Sequence, residues 1–398
     1  MDRMEQKPSM TFASVLKNPI YQRRDVLYAL EPPEGFLHRN EEKNELVMEL
    51  APILMQSPVI CAAVYGNPGT GKTGLILSLL KELEQEAQQN SIKLVSCYVN
   101  CSENRTETTI LLELLKQLDS QREYPKMGWN RAKAVAEFER VLKQHANTQL
   151  VFILDEVDYV LREAGDDVLY RLSRIHNKTK TNVSTIIISN DVRVDEYIKP
   201  KTQSSLGRVK IVFRPYNEQE LYDIIRDRAK YGFKKNVVSD QVLRKVAQIE
   251  SQRDGDARRA LELLDSCAKM AVARQHSKIT LEHVNEADSS LERDSVLSVV
   301  KSLTQHQKLV YYSILKQRED RLAGMDVFRQ YKETCQSYNM QPLSERRVRS
   351  LVINLNDLGL IRSEVGWLAD LKKKTRKIEV TLDSALKNKV VKMLRDSI

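Results

Sequence analysis

The chain has 398 residues, 63 Lys/Arg against 54 Asp/Glu and a formal net charge of +9, which is enough length for two or three domains with ample core. No stretch approaches the ~18 consecutive apolar residues of a membrane span, and the Met1–Met10 start lacks a signal-peptide core, so a membrane or secreted protein is excluded and a soluble, cytoplasmic one is expected. The positive excess is confined to residues 301–398, with 20 Lys/Arg and 11 Asp/Glu, while residues 1–300 balance; a polyanion-binding module on a neutral engine is the reading.

Residues 1–35 are poorly periodic, and Pro32-Pro33 and Gly35 mark a turn before a helix expected near Asn40. From about 40 to 215 strand and helix patterns alternate. Strands are expected at 59–64, 94–99, 150–154 and 185–188, with helices after residue 73 and at 107–118 and 131–143. This alternation predicts an α/β module, a parallel sheet with flanking helices. From Asn217 to about Ser289 the pattern is helical throughout, giving an all-α domain. Residues 294–303 read as a hinge. Beyond them come three helices, at 305–316, 326–338 and 344–358, then a hairpin after Gly359, which is a winged-helix pattern. The expected divisions are a 1–35 extension, a 36–215 nucleotide-binding domain, a 216–293 helical lid and a 294–398 winged helix. Cys97 and Cys101 read as core thiols, since the five cysteines lack paired metal spacing.

Gly66-Asn67-Pro68-Gly69-Thr70-Gly71-Lys72-Thr73 is a complete phosphate-binding loop, with an apolar strand before it and a helix carrying Leu75, Ile76, Leu79 and Leu80 after it. Glycines let backbone N–H groups converge on phosphate oxygens, Lys72 offsets β/γ charge, and the Thr73 hydroxyl suits Mg²⁺. The expected ligands are therefore ATP or ADP with Mg²⁺. Residues 151–154 lead as a strand into Asp155-Glu156: the first is placed for the metal, the second to polarise a water. Asn190, at the end of the next strand, is either a holder of that water or a turn residue.

In the basic tail, Val348, Leu351, Val352, Leu355 and Leu358 form one apolar stripe, leaving Arg346, Arg347 and Arg349 pointing outward from a recognition helix. The hairpin tip is expected to carry Lys372, Lys373, Lys374, Arg376 and Lys377. Duplex DNA is the partner that this charge and pattern imply.

These motifs resemble those of the AAA+ ATPases, with Asn190 at the first sensor position and Gly255-Asp256-Ala257-Arg258-Arg259-Ala260-Leu261 similar to the second-sensor motif. Taken alone, Arg258 would be half of an i,i+4 surface pair with Glu262; the resemblance makes it a γ-phosphate sensor. Leu37-His38-Arg39, Asn104-Arg105-Thr106-Glu107 and Ile211-Val212-Phe213-Arg214-Pro215-Tyr216 narrow the likeness to archaeal replication initiators related to the origin recognition complex and its helicase-loading partner. That resemblance, from about residue 15 onward, implies origin DNA, a replicative helicase and initiator paralogues as partners. It puts Tyr216 and Arg228 on the lid side of the nucleotide site. It also makes residues 102–130 a DNA-touching insertion, with Arg105 and Lys126 as candidates against the plainer reading of a solvated face.

Two departures stand out. The wing, Gly366-Trp367-Leu368-Ala369-Asp370-Leu371-Lys372, lacks the family's Gly- and Arg-rich tip, which favours backbone contact over minor-groove reading. Lys201 stands where the family often has an arginine acting in trans, with Arg208 shifted, and a lysine lacks the planar fork. A non-catalytic paralogue that holds ADP at origins, or a signalling ATPase with a regulatory winged helix, are the alternative readings.

Overall fold

The computed structural model describes residues 20–59, 61–125, 128–207, 209–317, 321–368 and 373–398. It divides into two compact units between Val284 and Asn285.

The first unit is built on five parallel strands: β1 (Ala62–Gly66), β2 (Leu94–Asn100), β3 (Gln149–Asp155), β4 (Asn182–Ser189) and β5 (Val209–Phe213), in the order β2-β3-β4-β1-β5. Strand alternation sorts their side chains. Ala63, Tyr65, Phe152 and Leu154 enter one core, and Ala62, Val64, Val151, Ile153, Ile186 and Ile188 the other. Burial on both faces is why these strands read as continuous apolar runs. β1 starts at Ala62, where it pairs with both Ile186 and Val209, later than expected, and it delivers Gly66 directly into the phosphate loop. β4 separates β3 from β1, so the segments after all three strands open side by side at one edge of the sheet.

Helices Asn40–Leu50, Lys72–Gln89, Glu107–Leu118 and Arg131–Gln144 follow the expected pattern. Short helices at Asp158–Glu163, Asp167–Leu172, Ile175–Thr179 and Pro200–Ser205 escaped it, being too brief to show a period. Helices Glu218–Gly232, Asp240–Ser251 and Ala257–Ala273 make the lid, capped by Asn217, Ser239 and Asp256. The segment 294–303, expected as a hinge, is helical as far as Ser302, within the single helix Leu281–Ser302. No Gly or Pro interrupts it, and Val284 and Ala287 are buried near its start and Leu297 and Val300 near its end.

In the second unit, helices Gln305–Leu315, Gly324–Ser337 and Glu345–Asp357 pack with a three-stranded antiparallel sheet of β6 (Arg321–Ala323), β7 (Ile361–Leu368) and β8 (Lys373–Val380), in the order β6-β8-β7. A final helix, Ser384–Ser397, was not anticipated. Asp383 caps it and Leu386, Val390 and Leu394 are buried. All five cysteines are buried free thiols, and no helix among the described residues is long and apolar enough to cross a membrane.

Candidate nucleotide site and winged helix

The loop from Gly66 to Thr73 wraps the N-terminus of the helix Lys72–Gln89. Lys72 is buried, and its ammonium donates to the carbonyls of Gly66 and Asn67, both at 2.7 Å. Burial lowers its pKa to about 8, against the opposing pull of Asp155; Arg258 also lowers it. The Thr70 hydroxyl donates to Asn67 O at 2.8 Å, tightening the turn. Gly69 has φ +70°, and a Cβ there would fall 1.6 Å from an Asp256 carboxylate oxygen. That close approach brings in the lid: the Ala257 N–H donates to Gly69 O at 3.2 Å, and Asp256 accepts from the N–H groups of Arg258 and Arg259.

Across the loop, the Thr73 hydroxyl donates to Asp155 Oδ2 at 2.9 Å, and the Tyr98 hydroxyl donates to the same oxygen at 2.8 Å. Burial raises the Asp155 pKa, and these two hydrogen bonds pull it back. The donor set of a hydroxyl and a carboxylate suits a hard cation such as Mg²⁺. Glu156 holds φ +54°, a left-handed conformation uncommon for a glutamate, with its N–H on Asp155 Oδ1 at 2.8 Å. Strain of this kind persists where surrounding structure over-determines it: Val157 N donates to Ile188 O at 3.0 Å, tying the β3 exit to β4. Asn190 follows, its backbone N–H on Asp158 Oδ1 at 3.2 Å.

A cavity of about 590 Å³ brings these groups together, lined by Pro68, Gly69, Gly71, Lys72, Thr73, Asp155, Glu156, Asn190, Tyr216, Arg228 and Arg258. Gly66, Asn67 and Thr70, expected with them, do not line it. Leu27, Leu30, Pro32, Phe36 and Leu261 line it as well, giving it an apolar part. Such a volume, apolar with convergent polar groups, is that of a small-molecule site.

Two lid-side residues do more local work than expected. Tyr216 is buried beneath the Arg39 guanidinium. Arg228, though it lines the cavity, donates to the carbonyls of Val26 (2.7 Å) and Ala29 (2.8 Å), and burial lowers its pKa. Sequence reasoning missed Arg39, Tyr98 and the segment 27–36 as parts of the site. Arg39 lay in a quoted motif, but nothing in the sequence gave it a partner.

The helix Glu345–Asp357 carries Arg346, Arg347 and Arg349 exposed, with Val348, Val352 and Leu355 buried. Leu358 leaves the expected stripe, 41% exposed at the C-cap. Arg349 is paired with Glu345 at 2.5 Å. The wing is also corrected: Lys373, Lys374, Arg376 and Lys377 lie in β8, not at a tip, because the β7–β8 ladder runs as far as Leu368↔Lys373. Arg376 donates to Ser363 Oγ at 2.8 Å. Lys372 lies outside the described residues, as do Lys126 and Arg208. In the first unit, Arg105 pairs with Glu163 at 2.7 Å and faces the Tyr159 ring at 5.1 Å. Lys201 sits 4.4 Å over the Tyr170 ring.

A parallel sheet, a phosphate loop, a strand-end Asp-Glu pair and a helical lid define an AAA+ ATPase module, joined in one chain to a winged helix. Family models agree: an AAA domain over residues 60–196, a Cdc6 AAA+ ATPase-type lid domain over 222–289, and a CDC6 C-terminal winged helix domain over 298–389. The chain is 33% identical to ORC1-type DNA replication protein 1 of Archaeoglobus fulgidus over 87% of its length and 84% of the relative's. It is 35% identical to the protein of that name from Sulfurisphaera tokodaii, over 89% and 88%. Among solved structures, the Aeropyrum pernix ORC1 protein in complex with DNA superposes with TM-score 0.80 and 28% identity, covering 94% of this chain and 97% of that one. Cdc6p from Pyrobaculum aerophilum shares the fold, with TM-score 0.59 and 22% identity over 94% and 99%. The chain belongs to the family of ORC1-type DNA replication proteins.

Proposed function

We propose that this chain is a nucleotide-switched replication initiator that binds duplex origin DNA through its winged helix. The observation that carries the switch is the single cavity on which Lys72, Thr73, Asp155, Glu156, Asn190 and Arg258 meet. ATP would be held with its triphosphate on the loop 66–73 and its base toward Leu27, Leu30 and Phe36. Thr73 and Asp155 would hold Mg²⁺, whose charge supplies part of the phosphate neutralisation. Glu156 orients and deprotonates water, while Asn190 and Arg258 sense the γ-phosphate from core and lid. Hydrolysis is slow and changes how the lid closes on the loop, since Asp256 and Ala257 connect the two directly.

Arg346 and Arg347 support DNA binding as exposed cations near the start of a recognition helix. The DNA-bound relative from Aeropyrum pernix supports the same reading. Helicase recruitment is the output that family membership suggests. Lys201, held over Tyr170 in its own chain, favours a second reading: a paralogue that holds nucleotide and occupies origins without efficient turnover.

Single-turnover hydrolysis separates these. General-base catalysis contributes roughly 10²–10⁴-fold, so Glu156→Gln should slow the step by at least about a hundredfold. Equal rates in wild type and variant would favour the second reading.

A further inference from the structure

Residues 20–37 form a strap across the nucleotide cavity. Its first half is held by the lid. Arg228 donates to two of its carbonyls, Arg23 N donates to Gly232 O at 3.1 Å, and Lys234 N donates to Ile20 O at 2.9 Å. Its second half touches both: Glu31 pairs with Lys81 of the core at 2.7 Å, Phe36 packs so closely that a Cβ on Gly74 would meet its ring at 2.7 Å, and Glu34 pairs with Lys230 of the lid at 2.6 Å. Between these anchorages the strap supplies Leu27 and Leu30 to the cavity wall.

The strongest fixture of the strap is one carboxylate. Asp265, its side chain fully buried on the lid helix Ala257–Ala273, accepts from Arg24 Nε at 2.9 Å and Nη2 at 2.8 Å. The Tyr21 hydroxyl donates at 2.7 Å, the Tyr28 hydroxyl donates to Oδ2, and Lys269 donates at 2.8 Å. Three of these four donor residues come from the strap. Asp265 lies seven residues after Arg258, two helical turns along the same face. One rigid helix therefore carries the phosphate-side sensor and the anchor of the apolar wall.

Resting on the nucleotide reading above, we propose that Asp265 is a positioning residue for recognition of the nucleoside half of the ligand. It holds the strap as the base-side wall and ties that wall to the helix that senses phosphate. Removing it leaves Arg24 and Lys269 without their shared counter-ion and frees the wall, while the phosphate loop keeps its own contacts.

The test measures affinity of the full-length chain for ATP and for inorganic tripolyphosphate, both with Mg²⁺, in wild type, Asp265→Asn, Arg24→Ala and the double variant. Asp265→Asn should weaken ATP about tenfold or more, equivalent to about 1.4 kcal/mol, and leave tripolyphosphate affinity unchanged. Arg24→Ala, an exposed-side change that spares the lid core, should act in the same direction. The double variant should be no worse than Asp265→Asn, as expected of partners in one interaction. Unchanged ATP affinity in Asp265→Asn, or a parallel loss for tripolyphosphate, would overturn the proposal. Absence of ATP binding by wild type would instead reject the parent nucleotide reading.

Discussion

The Arg39 guanidinium lies 3.8 Å from the centre of the Tyr216 ring, and the same group donates to Thr70 O at 3.0 Å and Arg214 O at 2.7 Å. A fully buried arginine thus ties the phosphate loop to the segment entering the lid, with Glu42 as its ion-pair partner at 3.0 Å. Removing one member of such a pair leaves a buried charge and unsatisfied carbonyls. Arg39→Met should therefore cost about 3–5 kcal/mol in urea unfolding. A loss within experimental error would show that the arginine is not a structural tie.

The contact between Gly69 and Asp256 gives a sharper probe of lid and loop. Asp256→Ala removes an N-cap and should cost about 1 kcal/mol. Gly69→Ala adds a methyl where φ is +70° and the Asp256 carboxylate already sits, so it should unfasten the lid and weaken ATP binding far more than the cap deletion. Titration calorimetry of both variants checks the order; a harmless Gly69→Ala would mean that the loop and lid do not meet closely.

Asp265 predicts an acid-stability profile. Burial works to raise its pKa, but the hydrogen bonds from Arg24, Lys269, Tyr28 and Tyr21 outweigh it and hold the carboxyl well below its ordinary value of 3.8. A depressed acid contributes stability that is complete above the unfolded value and fades as pH falls toward the folded one. The stability gap between wild type and Asp265→Asn should stay flat from about pH 7 to about pH 5 and shrink only below about pH 4. A gap already closing at neutral pH would contradict the anchor geometry.

For the winged helix, each phosphate-contacting cation lost should reduce the salt slope of DNA binding by about one. Arg346→Ala and Arg347→Ala should each do so. Arg349→Ala should do less, because Glu345 already engages it, and Glu345→Ala should tighten binding. A filter-binding series over salt concentration measures all four; equal effects for the three arginines would show that the Glu345 pair opens freely on DNA.

How much of this was legible in the sequence follows from distance along the chain. The loop 66–73, Asp155-Glu156 and the recognition helix are local patterns, and the structure places them on the elements that their flanking residues implied. Arg24 and Asp265 are 241 positions apart, and neither carries a pattern that names the other. Tyr98 was hidden in β2, where an aromatic residue reads as ordinary strand filling; only the register Asn100↔Asp155 puts β2 beside the β3 exit. The helical state of 294–302 was not legible because the polar run 285–294 before it carries no apolar period long enough to join the two ends of the helix Leu281–Ser302.

The proposed switch requires that nucleotide at Lys72 govern how the chain engages duplex DNA. Footprinting on origin DNA from the source organism, with ATP, with ADP and with Lys72→Ala, tests it most directly. Protection over the origin should differ between ATP and ADP, and the Lys72→Ala pattern should be indifferent to nucleotide. Identical wild-type footprints in ATP, in ADP and without nucleotide would contradict it.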